Sequence, residues 1–243
     1  MPTFDSYDGT TLSYTVEGSG PPLVCLPGGP ARPAGYLGDL GGLAARRQLH
    51  RLDFRGTGGS AVPEDEDTYR VDRIVADVES MRAHLELDTF DLLGHSAGAS
   101  VALLYAVAYP HRLSSLVIVA GSLRVTGLPP VGAQEAHDAR SADGSPEPLE
   151  PVGYERSGAA AEGFYEDYDA SPDGVRAGLS ALDVPVLVVA GERDIVPTPA
   201  AAATVAALFR HASVATIASG GHYPWLDAPS QFADGVGAFL ARR

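Results

Sequence analysis

Lysine is absent from the sequence, and cysteine and tryptophan occur once each among 243 residues. All 17 basic residues are therefore arginine, which we interpret as a codon or lineage bias. The single cysteine, Cys25, excludes an intramolecular disulfide and fits a reducing cytoplasm. No apolar run approaches the roughly 20 residues that span a bilayer, and the first residues lack the basic and apolar segments of a secretory signal. We therefore expect a cytoplasmic protein without a membrane partner.

Acidic residues outnumber basic ones, 31 to 17, which gives a formal net charge of −14. This field repels a phosphate backbone, so nucleic acid is not an expected partner. No two histidines have the His-x-x-x-His spacing and Cys25 stands alone, so no metal site is predicted. With 45% hydrophobic residues, the chain has enough apolar side chains for one globular core carrying an insertion.

Short apolar runs typical of buried strands alternate with helical patterns, which predicts an α/β fold with a mainly parallel sheet flanked by helices. Residues 69–87 give the clearest helix, because apolar side chains recur at spacings of three and four. A helix is also expected at 36–47. Residues 122–180 are rich in Gly, Ala, Pro and acidic residues and poor in large aliphatic ones. We therefore predict a core formed by 1–121 and 181–243, with 122–180 inserted as a short cap or lid.

The strongest local motif is Gly-His-Ser-Ala-Gly at 94–98, which lies between an apolar strand pattern and an apolar helix pattern. A serine on such a tight strand-to-helix turn is exposed at the top of a sheet, and the flanking glycines let the backbone turn sharply. Ser96 is therefore the candidate nucleophile. The alternative is an ordinary helix N-cap, a position that serine also favours.

A serine hydroxyl is a weak nucleophile that needs a base, and the base needs an orienting acid. Asp194 directly follows the apolar run 184–190, and His222 follows the predicted strand 213–217. Each therefore lies past the C-terminal end of a strand, where open α/β sheets build their sites. Taken singly, Asp194 could be a surface carboxylate and His222 a turn residue bonded to backbone. Together they are the candidate acid and base for Ser96.

Acyl transfer also requires donors for a developing oxyanion. The N–H of Ala97, next to the nucleophile, is one candidate. The second is expected from the Pro-Gly-Gly-Pro loop at 27–30, with Gly29 preferred over Gly28, although an ordinary turn is the alternative. No Gly-Lys-Ser/Thr follows that loop, and Gly-Thr-Gly-Gly at 56–59 lacks the rest of a dinucleotide fingerprint. We predict no cofactor.

With these motifs, with Asp-Phe-Arg-Gly-Thr-Gly-Gly-Ser at 53–60 and with the order Ser, Asp, His, the sequence resembles the α/β-hydrolase superfamily along nearly its whole length. The glycine loop and the 53–60 motif most resemble the proline iminopeptidase branch, which removes N-terminal residues, typically proline. That branch usually has histidine where Pro27 stands and tryptophan where Ala97 stands. Its cap carries acidic residues that bind the substrate amine. Glu162 and Glu166 are the candidates here, and a solvated acidic face is the alternative.

The resemblance and the motifs together predict a serine hydrolase of small carboxylic esters, lactones or thioesters that works through an acyl-enzyme. One alternative is a proline iminopeptidase-like aminopeptidase. Another is a non-hydrolytic ligand-binding or lyase/cyclase-like protein of the same fold. The expected partner is a small-molecule substrate, and the sequence leaves the oligomeric state open.

Overall fold

The computed structural model describes residues 1–129, 131–133, 135, 138 and 149–242. Their strands form one eight-stranded sheet in the order β1-β2-β4-β3-β5-β6-β7-β8. The strands are β1 Thr3–Asp5, β2 Thr11–Glu17, β3 Pro22–Leu26, β4 Gln48–Leu52, β5 Phe90–His95, β6 Leu113–Val119, β7 Val186–Gly191 and β8 Ala212–Ile217. The pairs β1–β2 and β2–β4 are antiparallel, and every other pair is parallel. The predicted mainly parallel α/β sheet is confirmed.

Helices connect the parallel strands. The α-helices of the described residues are α1 Val71–His84, α2 Ala97–Ala108, α3 Gly158–Gly163, α4 Pro172–Ala181, α5 Pro199–Ala206, α6 Pro224–Asp227 and α7 Pro229–Leu240. Short 3-10 helices occupy Ala34–Leu37, Leu43–Ala45, Glu66–Tyr69, Pro110–Arg112 and Arg124–Thr126. None of the helices in the described part of the chain is long and apolar enough to cross a membrane.

The sheet is covered on both faces, so its central strands read as continuous apolar runs. Every residue of β5 and of β7 is buried. Successive side chains alternate between two cores: Leu92 packs into the one that contains α1 and α2, and Leu93 into the one that contains α7. With both faces filled, the loops at the carboxyl ends of the strands are the place left for a site.

The prediction of a helix at 36–47 is wrong. That segment forms two 3-10 turns, Ala34–Leu37 and Leu43–Ala45, separated by irregular backbone. Gly38, Gly41 and Gly42 all have positive φ values, 55°, 67° and 97°. Glycine adopts this left-handed backbone readily, and it interrupts a right-handed helix.

Helix α3 lies within the segment predicted to be a cap, and α4 ends one residue beyond it. Helix α4 packs onto the main core through Val175 and Leu179, both of which are buried. It starts at Ser171, whose side chain accepts a hydrogen bond from the N–H of Gly174. The division into a core and a cap stays a prediction.

Candidate active site

Ser96 occupies the turn between β5 and α2 in a strained backbone conformation. Its φ is 53° and its ψ is −118°, which a non-glycine residue rarely adopts. The glycines at 94 and 98 permit this turn: a Cβ at 94 would lie 2.7 Å from the carbonyl oxygen of Gly98, and a Cβ at 98 would collide with the carbonyl oxygen of Pro27. The sharp turn that the motif predicted is therefore present, with Ser96 at its apex.

The structure brings Ser96, His222 and Asp194 together. The Nε2 atom of His222 lies 2.9 Å from the Oγ atom of Ser96, and its Nδ1 atom lies 2.9 Å from Oδ2 of Asp194. Asp194 is 3% exposed, and its other oxygen accepts the N–H of Val196 at 3.0 Å. An ionised carboxylate only accepts hydrogen bonds, so Nδ1 carries the proton and Nε2 is free to accept one from the serine.

Close contact between two loops sets this geometry. Asp194 lies three residues beyond β7, and His222 lies five residues beyond β8. The N–H of Arg193 donates to the carbonyl oxygen of Gly220 at 2.8 Å, and Gly191 is packed so tightly against the same loop that a Cβ there would collide with backbone. The adjacent carboxyl ends of two parallel strands thus deliver the acid and the histidine to one place.

The two glycines of the 27–30 loop have different surroundings. Gly29 and Ala97 both line the cavity at Ser96, and the N–H of Gly29 has no acceptor among the described residues. The N–H of Ala97 belongs to the first turn of α2, where helical N–H groups have no partner within the helix. The N–H of Gly28 instead donates to the Tyr36 hydroxyl at 2.6 Å. Gly28 is therefore a poor second choice as an oxyanion donor, because its N–H is already engaged.

The role of Gly28 is to allow close packing against Ser96, and not to donate a hydrogen bond to an oxyanion. A Cβ at this position would lie 2.6 Å from the Cβ of Ser96, so only glycine lets the loop approach the nucleophile. The loop thereby places the next N–H, that of Gly29, at the cavity.

Sequence reasoning missed a buried hydrogen-bond chain that connects this loop to the backbone of His222. The His95 ring is 1% exposed, with Nε2 at 2.9 Å from the carbonyl oxygen of His222 and Nδ1 at 2.7 Å from the Tyr36 hydroxyl. A carbonyl oxygen only accepts, so Nε2 carries the proton and Nδ1 accepts from Tyr36. The Tyr36 oxygen in turn accepts the N–H of Gly28. Every link in the chain therefore has one defined direction.

The two side chains of this hydrogen-bond chain, His95 and Tyr36, remain uncharged. Burial lowers the pKa of His95 well below its usual value, and the neighbouring His222 lowers it further. Burial likewise raises the pKa of the Tyr36 hydroxyl. In the sequence, His95 is simply the residue before the nucleophile. No local signal joins it to Tyr36, which lies 59 residues away in the sequence.

A cavity of about 430 Å³ opens at Ser96. Its described lining is mainly aliphatic, and its larger apolar members are Leu123, Leu128, Val131, Ile195, Val196 and Pro197. Polar contributions come from Ser122, Tyr165 and Thr198, and Arg124 adds a charged group. A cavity of this size can hold a small organic molecule next to the serine.

Glu162 and Glu166 are not brought to this cavity. Both are exposed, and they line a separate surface cavity together with Glu66 and Asp67. Because α3 packs on the 3-10 helix Glu66–Tyr69, Glu162 lines the cavity between these two elements and not the cavity at Ser96. The structure therefore offers no support for Glu162 and Glu166 as ligands of a substrate at Ser96, and the solvated acidic face fits better. Among the residues that the structure describes, no group of His, Cys, Asp or Glu is placed to hold a metal ion.

Comparison with known proteins defines the class of this fold. A family model described as the alpha/beta hydrolase fold matches residues 21–171. The chain belongs to the α/β-hydrolase fold family, and the predicted resemblance is confirmed.

Proteins of several activities are among its relatives. The proline iminopeptidase of Lactiplantibacillus plantarum is 34% identical over 119 residues, which are 48% of this chain and 40% of that protein. The 3-oxoadipate enol-lactonase 2 of Acinetobacter baylyi is 27% identical over 210 residues, 78% of this chain and 77% of that protein. The first curated relatives are matched over only 35% to 40% of their own lengths. Among solved structures, the esterase RhEst1 from Rhodococcus sp. ECU1013 superposes with a TM-score of 0.73 at 26% identity, over 99% of this chain and 98% of that one.

Proposed function

We propose that the protein hydrolyses small carboxylic esters, including lactones and thioesters, through Ser96, His222 and Asp194. The observation that carries the proposal is the pair of 2.9 Å contacts that His222 makes, one to Ser96 and one to Asp194, beside an aliphatic cavity. The esterase and enol-lactonase relatives support an ester substrate.

In the proposed reaction, Oγ of Ser96 attacks the ester carbonyl carbon while its proton passes to Nε2 of His222. The oxyanion that forms is held by the N–H groups of Gly29 and Ala97. Collapse of the intermediate expels the alkoxide, which takes the proton from His222, and leaves an acyl-enzyme on Ser96. A water molecule, deprotonated by His222, then attacks this ester, releasing the acid and restoring the serine.

The aminopeptidase alternative has sequence support from the proline iminopeptidase relatives. An aminopeptidase must bind a protonated N-terminal amine next to the scissile bond, and a carboxylate is the natural partner for it. No acidic side chain lines the Ser96 cavity among the described residues, where the one charged group is Arg124. This lining favours the ester hydrolase.

The test compares hydrolysis of a short-chain p-nitrophenyl ester and of prolyl p-nitroanilide by the wild-type protein and by Ser96→Ala. We expect ester turnover that disappears in the variant, with little anilide turnover. Strong anilide hydrolysis that is lost when the substrate N-terminus is acetylated would select the aminopeptidase.

Labelling with a fluorophosphonate distinguishes the ester hydrolase and the aminopeptidase from a non-hydrolytic protein of the same fold. The probe reacts with an activated serine whatever the substrate. We expect one equivalent to attach at Ser96 in the wild-type protein and none in Ser96→Ala. A folded wild-type protein that stays unlabelled and inactive would assign the fold to ligand binding or to non-hydrolytic chemistry.

A further inference from the structure

Arg124 is the one charged side chain in the described lining of the Ser96 cavity. It lies in the segment after β6, two residues from Ser122, whose N–H donates to the carbonyl oxygen of Ser96 at 2.9 Å. The remaining lining is aliphatic or carries only hydroxyl groups. The guanidinium is therefore the one positive charge in the described lining of the cavity.

Ring contacts hold this guanidinium at the cavity. Its central carbon lies 4.6 Å from the centre of the Tyr165 ring, within the range of a cation–π contact. The Tyr165 hydroxyl is itself hydrogen-bonded to Ser100 at 2.9 Å and to Ser122 at 3.1 Å. Ser100 belongs to α2 and Ser122 is joined to the backbone of Ser96, so the surface that carries Arg124 is anchored to the elements of the nucleophile.

Arg124 is not a member of any of the ion pairs found between described residues. Other arginines of the chain are paired, for example Arg70 with Asp72 and Arg82 with Glu79. A ligand carboxylate that enters the cavity would find five N–H donors in the planar arrangement that carboxylates fit.

We propose that the cavity binds an ester or lactone that carries a carboxylate, and that this carboxylate pairs with Arg124. The inference rests on the proposed ester hydrolysis, which it narrows to anionic substrates. Because Arg124 is exposed, solvent weakens the pair, and we expect it to contribute a factor of about five to ten in kcat/KM.

The experiment uses three esters. Ethyl pentanoate and the monoethyl ester of glutaric acid differ only in a carboxylate at the end of the acyl chain. Pentanoyloxyacetate carries its carboxylate on the alcohol part. Hydrolysis is followed by pH-stat titration, and the readout is the ratio of kcat/KM for each anionic ester to that for ethyl pentanoate, which cancels any general loss of activity.

In the wild-type protein we expect a ratio of about five or more for one of the two anionic esters. In Arg124→Gln this ratio should fall to near one, and Arg124→Lys should retain part of it because the charge remains. Arg73→Gln is the matched control, since Arg73 is exposed and lines a different surface cavity. Its ratio should equal that of the wild type, although its net charge equals that of Arg124→Gln. A wild-type ratio near one, or a ratio that Arg124→Gln leaves unchanged, overturns the proposal.

Binding of boronic acids tests the anion site even if the protein hydrolyses no ester. Butylboronic acid and 3-carboxypropylboronic acid imitate the two acyl groups, and calorimetry measures their affinities without turnover. If no ester is hydrolysed but the carboxylated boronate binds about fivefold more tightly, and only when Arg124 is present, the anion site stands and the hydrolase proposal fails. If the glutaric ester is the favoured substrate, equal affinities for the two boronates in the wild type count against the anion site.

Discussion

Replacing Tyr36 with phenylalanine removes one oxygen atom that two buried groups share. The ring can stay where it is, among His95, Tyr223 and Trp225. The N–H of Gly28 then loses its acceptor and Nδ1 of His95 loses its donor. Leaving a buried donor or acceptor unsatisfied costs about 1–3 kcal/mol, so the two together lower the free energy of unfolding by about 2–6 kcal/mol.

The same change should slow catalysis without weakening substrate binding. Tyr36 is not part of the described cavity lining. It holds the loop that presents the N–H of Gly29, and through His95 it holds the backbone of His222. Complete loss of an oxyanion-hole donor costs a factor of about 10² to 10³ in kcat. Because Tyr36→Phe only loosens the loop, we expect a fall in kcat of about tenfold, with KM within about twofold of the wild-type value.

Chemical denaturation and steady-state ester hydrolysis measure the two effects. Tyr14→Phe is the control, because Tyr14 is another buried tyrosine, and its hydroxyl lies 3.2 Å from the ring of His84 at the end of α1. It should lose about 1 kcal/mol of stability and keep its kcat. If Tyr36→Phe loses stability but keeps its kcat, the chain of hydrogen bonds is only structural. If neither quantity changes, the hydrogen bonds assigned to Tyr36 are wrong.

Three further changes test other parts of the structure. Gly98→Ala places a methyl group against the carbonyl oxygen of Pro27, so we expect a large loss of soluble, cooperatively unfolding protein in circular dichroism melts, and wild-type stability would contradict the packing of the turn. Asp194→Asn should reduce kcat for ester hydrolysis by about 10⁴ because the histidine takes the wrong tautomer, and a loss below about tenfold would remove this residue from the triad. Burial raises the pKa of Asp8, but hydrogen bonds, with Arg55 foremost among them, outweigh that and lower it to about 2. Its contribution to stability is therefore present above about pH 4 and is lost as the pH falls towards 2. Asp8→Asn should flatten this part of the pH dependence of unfolding, measured against wild type, and an unchanged profile would show that Asp8 does not couple folding to protonation.

The sequence by itself determined the fold class and the candidate nucleophile, because both follow from local rules. The alternation of apolar runs and helical patterns specifies a parallel sheet with helices on both faces. A Gly-x-Ser-x-Gly segment at such a strand end forms a tight turn, since Gly94 and Gly98 have no Cβ to collide with the backbone. Asp194 and His222 could also be predicted as site residues, because the carboxyl ends of neighbouring parallel strands meet at one edge of the sheet.

Only the tertiary structure decided which atoms are free to act. It is the hydroxyl of Tyr36 that occupies the N–H of Gly28 and leaves that of Gly29 to the cavity. The packing of α3 on a neighbouring 3-10 helix places Glu162 at a separate cavity, whereas the Tyr165 ring contacts Arg124 at the cavity of Ser96. These outcomes depend on contacts between residues far apart in the chain. Such contacts leave no periodicity or spacing in the sequence, since hydrogen-bond partners and cavity walls are set by where whole elements come to lie.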